Sequence, residues 1–109
     1  MTLTNPGQQQ VKFPGKGSVT EFLLSTSPTL VLVDRSNTND RRGIMIYNRG
    51  SANALFAYAT TVSATAFTAE LLPGGYAEDS PSFPWQGPIA MRSTAAPTNV
   101  NITELVTLI

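Results

Sequence analysis

The sequence predicts an all-β protein, a single antiparallel β-sandwich or jelly-roll-like barrel with an extended N-terminal arm. Short apolar runs rich in Val, Ile, Phe and Tyr recur at roughly ten-residue spacing, with Gly, Pro, Asn or Asp between them, as in sandwiches and barrels. The run at 29–33 is too short for a helix that would offset its own nucleation. A chain of 109 residues has the length of one domain and is too short for two with separate cores.

In chain order, residues 1–17 hold Pro6, Gly7, Pro14, Gly15 and Gly17, and Val11 and Phe13 are the main apolar side chains. Pro and Gly oppose helix and central strand, and so little apolar surface does not offset chain entropy. The span is therefore an arm, either a disordered terminus or a segment that orders against a partner through Val11 and Phe13. Residues 18–109 are the sandwich. Within it, residues 18–24 read as a strand or one helical turn. Residues 29–33, a continuous run of β-formers, read as a buried strand, and the polar stretch 34–41 as an exposed loop.

Residues 42–58 read as the central hairpin, two strands apolar on both faces joined at Asn48-Arg49-Gly50-Ser51 near the middle of a sheet. The small-residue tract 59–69 allows close approach of another backbone and is a candidate contact between copies. Leu72-Pro73-Gly74-Gly75-Tyr76 predicts a turn, because Pro presets the first turn dihedral and Gly tolerates positive φ after it. Residues 77–86 form a Pro-punctuated connection. Residues 88–92 are a strand opened by Pro88, and residues 99–109 are the last strand.

Composition narrows the chemistry. The chain has no Cys and no His, which removes disulfides, thiol nucleophiles, the usual zinc sites and the commonest general base. No enzyme activity, metal or cofactor is expected. Glu78-Asp79, the adjacent acidic pair, reads as a solvated loop, and Asp34 with Asp40 does not follow the helix-loop-helix calcium spacing. Seven basic residues balance seven acidic ones, so nothing points to nucleic acid. No apolar run approaches the roughly 20 residues of a membrane span, and residues 1–6 do not resemble a secretory signal. Only 13% of residues are charged, about half the usual share, so a homo-oligomer is expected. Arg41, Arg42, Arg49 and Arg92 flank strand ends, where surface pairing adds little stability. Trp85, beside Phe83, is either a core or interface plug or a platform for a sugar or base.

The order Arg42-Gly43-Ile44-Met45-Ile46-Tyr47-Asn48, Gly50-Ser51-Ala52, Leu72-Pro73-Gly74-Gly75-Tyr76, Trp85-Gln86-Gly87-Pro88-Ile89 and Val100-Asn101-Ile102-Thr103-Glu104 resembles small structural proteins of tailed bacteriophages, the capsid decoration or cement class. The resemblance covers residues 42–104. It implies a virion protein on the capsid surface, with a β-sandwich or jelly-roll fold, often a trimer, whose partner is the major capsid protein. Proteins of the head fibre or tail share the pattern, which implies as the alternative a module that binds host-surface glycans through Phe83 and Trp85.

Overall fold

The computed structural model describes residues 15–79 and 82–107. They form eight strands: β1 Gly15–Leu24, β2 Thr29–Leu32, β3 Arg41–Asn48, β4 Ala54–Ala57, β5 Ala69–Leu71, β6 Tyr76–Glu78, β7 Ile89–Ser93 and β8 Thr98–Thr107. Two four-stranded sheets result, in the orders β1-β8-β3-β6 and β2-β7-β4-β5. The first strand pairs antiparallel with the last, the second with the seventh, the third with the sixth and the fourth with the fifth. A long hairpin rolled over on itself gives this nesting, which is the jelly roll. The fold is thus the expected sandwich, in its two-sheet form.

Alternation along the strands explains how the sheets stack. In β8 every second residue from Thr98 to Glu104 is buried, and Val100 and Ile102 meet Leu24, Ile46, Ile89 and Met91 in the core. Burial of one face of each sheet against the other is the main favourable term.

Several elements differ from the sequence expectation. The expected hairpin at 42–58 is two strands of different sheets: β3 pairs with β8 and β6, whereas β4 pairs with β7 and β5. The connection is a corner between layers, held by the buried side chain of Asn48, whose amide donates to Ala52 O at 2.8 Å and Leu71 O at 3.0 Å. Nor is β3 buried on both faces, since Met45 and Tyr47 are exposed. The run 29–33 lies on an edge, with Leu30 and Val33 exposed beside a register shift. Residues 18–24 are strand, and β1 begins three residues earlier, inside the span read as arm.

The turn at 72–75 forms as its sequence dictates. Gly75 N–H donates to Leu72 O at 2.8 Å and Gly74 has φ +83°, the type II arrangement that Pro followed by Gly selects. The tract 59–69 has an internal role: Val62 packs with Leu55, Ala57 and Ala90, residues that alternate with the core-facing ones on β4 and β7. This loop therefore covers part of the outer face of the β2-β7-β4-β5 sheet.

One end of the sandwich is closed by charge. Arg41 is 0% exposed, not the surface group its position at a strand end suggested. Its guanidinium donates to Glu104 Oε2 at 2.8 Å and to the carbonyls of Trp85, Gly87 and Val33. Arg35 approaches the same carboxylate through two nitrogens, at 2.6 and 3.1 Å. Burial alone would raise the Glu104 pKa, but hydrogen bonds and charge from the two arginines prevail, and the carboxyl sits below its ordinary value. The Gln86 side chain exchanges two hydrogen bonds with the Arg41 backbone, which fixes the approach to β7.

Candidate functional site

The two outer faces of the sandwich are not alike. On the β1-β8-β3-β6 sheet the register lines up residues whose side chains point away from the core. One row is Val19, Thr103, Met45 and Glu78; the next is Glu21, Asn101, Tyr47 and Tyr76. A third is Gly17, Leu105 and Gly43. Val19 is 66% and Leu23 68% exposed, and Met45, Tyr47, Tyr76 and Leu105 are exposed too. These apolar side chains share the face with the neutral Asn101 and Thr103 and with the charged Glu21 and Glu78. Six exposed large apolar side chains on one face make it the candidate interaction surface.

The glycines shape the patch. A Cβ on Gly17 would lie 2.9 Å from Leu105 Cδ2, and one on Gly43 3.2 Å from Cδ1, so Leu105 lies in a trough between two bare stretches of backbone. Beside it, Gly43, Met45, Thr103 and Leu105 line a groove of about 190 Å³, with Arg42, Glu78 and Asp79 at its rim. Glu21 and Arg49 form an ion pair on the same sheet's exposed surface.

The aromatic residues singled out by sequence have different settings. Phe83 is 85% exposed. Trp85 packs against the core and stacks on Tyr58, with ring centroids 5.2 Å apart and planes inclined by 13°. Its indole N–H donates to Pro88 O at 2.9 Å, and a Cβ on Gly87 would overlap the ring. Within the chain this is a core plug. Val11 and Phe13 lie outside the described residues. No group of three or more metal-ligating side chains occurs among the described residues.

Tyr58 also donates its hydroxyl proton to Asp79. Burial, with the Asp79 charge and hydrogen bond added, raises its pKa to about 12. Because the unfolded phenol ionises near its ordinary value of 10.0 and the folded one does not, stability should fall as pH rises from 10 toward 12. Ultraviolet titration should show a phenolate step near pH 12 that is absent from Tyr58→Phe; its persistence in that variant would contradict the assignment.

Sequence reasoning missed Val19, Met45, Tyr76 and Leu105 as one surface. The alternation in β3 and β8 contained the signal, but it becomes a patch only once the neighbouring strands are known.

No family model matches the chain, and no curated protein matches it. Among solved structures the chain is similar to one described by the words "Bacillus endospore appendages form a novel family of disulfide-linked pili", with a TM-score of 0.56 and 13% identity over 100% of both chains. The likeness is one of fold. With no cysteine in its sequence, the present chain cannot form the disulfide linkage those words describe.

Proposed function

We propose that the chain is a structural subunit of a bacteriophage particle, a decoration protein that clamps neighbouring major capsid subunits. The observation that carries this reading is the exposed apolar side chains on the outer face of the β1-β8-β3-β6 sheet, which no other described segment covers, on a sandwich whose other outer face is partly covered by its own loop. Burial of that face at a seam between capsid subunits supplies the binding energy. Residues 1–14, with Val11 and Phe13 as anchors, extend the contact beyond the sandwich.

The test is cosedimentation with empty capsid shells. The wild-type chain should bind at stoichiometric occupancy. Met45→Asp/Tyr76→Asp should fold normally, because both side chains are exposed, and bind at least tenfold more weakly. Removal of residues 1–14 leaves β1 whole and should also weaken binding; Val11→Asp/Phe13→Asp should match it. Unchanged occupancy of the Met45/Tyr76 variant would overturn the role of the face. Filaments formed by the purified chain without shells would turn the reading toward an appendage subunit, which the full-length likeness in fold to a pilus protein favours.

A further inference from the structure

The two sheets have four edge strands, and three are short. Strands β5 and β6 have three residues each, and β2 has four with a register shift. The fourth, β1, has ten residues and pairs with β8 in one unbroken register from Gly15 to Leu24. Natural edges are blunted by shortness, Pro, bulges, inward charges or a covering segment. Strand β1 holds no Pro and no bulge, its one inward charge, Lys16, is confined to the start of its pairing, its Glu21 is engaged by Arg49 on the outer face, and among the described residues no hydrogen bond reaches the free side of its backbone. Its outward side chains Val19 and Leu23 are the most exposed apolar groups of the face and, among the described residues, have no neighbouring strand on that side.

We propose that β1 pairs antiparallel with β1 of a second copy, about a two-fold axis normal to the sheet at Val19. Such an axis keeps both outer faces on one side, so each residue meets one of its own facing. Centred on Val19, the register sets Val19 against Val19 of the second copy, Gly17 against Glu21, Gly15 against Leu23, Ser18 against Thr20 and Lys16 against Phe22. No like charges meet, and the two largest outward groups, Leu23 and Glu21, fall opposite glycines. A centre at Glu21 would oppose two carboxylates and one at Lys16 two ammonium groups, both destabilising. A centre at Thr20 would set Val19 against a carboxylate. The chosen register joins two four-stranded sheets into one continuous sheet and makes their apolar faces contiguous.

This inference concerns the chain in solution and stands apart from capsid binding. In sedimentation velocity the full chain should run as a dimer, whereas Val19→Lys, which places two cations at the axis, should run as a monomer with an unchanged circular dichroism spectrum. Because the chain has no cysteine, oxidation provides a second measurement that does not depend on that variant's folding. Val19→Cys should cross-link to its own copy, since directly opposed Cβ atoms lie about 5 Å apart. Glu21→Cys should cross-link at least tenfold less, because the two cysteines would be about 14 Å apart along the paired strands. A wild-type monomer at all concentrations, a trimer indifferent to Val19→Lys, or stronger cross-linking through Glu21→Cys would each overturn the proposal.

Discussion

Glu104→Leu is expected to destabilise the protein by about 3–5 kcal/mol, the usual loss when a buried ion pair is broken from one side. The Arg41 guanidinium is 0% exposed, and Glu104 is the acidic side chain bonded to it. Without the carboxylate, the positive charge keeps its hydrogen bonds to the carbonyls of Val33, Trp85 and Gly87 and the attraction of the exposed Asp34, but loses its ion-pair partner. The change should appear as a lower urea midpoint. Arg41→Met combined with Glu104→Leu should recover most of the loss, because removing both charges removes the desolvation penalty as well. An unaltered midpoint in the single variant would show that the carbonyls and Asp34 compensate Arg41. The same site sets the acid limb of stability. The Glu104 carboxyl is depressed in the folded state, so its contribution is complete above the ordinary carboxylate value of 4.5. It is lost as pH falls below that value through the folded one, because the unfolded chain takes up the proton first. Glu104→Gln should flatten this part of the pH profile.

Most elements of the fold were legible because each is a local signal; β6 was not, since Tyr76–Glu78 lies where the sequence reads a turn, a connection and a solvated Glu78-Asp79 loop, and three residues are too few to show a period. The alternation in β8 marks which residues face inward, and Pro73-Gly74 specifies its turn through two dihedral preferences. The layers were not legible, because a period of two says which side chains share a face and nothing about which strand lies alongside. Asn48 to Ser51 has the composition of a hairpin turn, and a corner between sheets uses the same residues. What decides between them is Leu71 O, 23 residues away, which accepts from Asn48. Arg41 and Arg42 look alike as a basic doublet, yet adjacent strand residues face opposite sides; Arg41 turns into the sandwich, while Arg42 bonds Thr107 at the surface. Met45 and Tyr47 pass for core by composition, and it is their exposure, with no described segment layered over that side of β3, that makes them part of the candidate surface.

Asn48→Ala should be nearly as damaging, by roughly 2–5 kcal/mol, the sum expected when two or more buried polar groups lose their partner. The side chain bonds both ways: its amide donates to Ala52 O and Leu71 O, and its Oδ1 accepts from Gly50 N–H at 3.1 Å and from the Thr98 hydroxyl at 2.9 Å. Its backbone bonds Gly75 O and Gly74 N–H. One residue thus joins the corner after β3, the turn between β5 and β6, and the start of β8. Gly50 must stay close, since a Cβ there would overlap Thr98 Oγ1. Asn48→Asp separates shape from hydrogen bonding. A carboxylate fits the space but faces two carbonyl oxygens, which raises its pKa above the unfolded value. The deficit of Asn48→Asp relative to wild type should therefore be largest at neutral pH and shrink as pH falls and the buried acid regains a proton to donate. A deficit independent of pH would mean that the carboxylate has reached solvent, and that the corner is held by packing instead of by the amide.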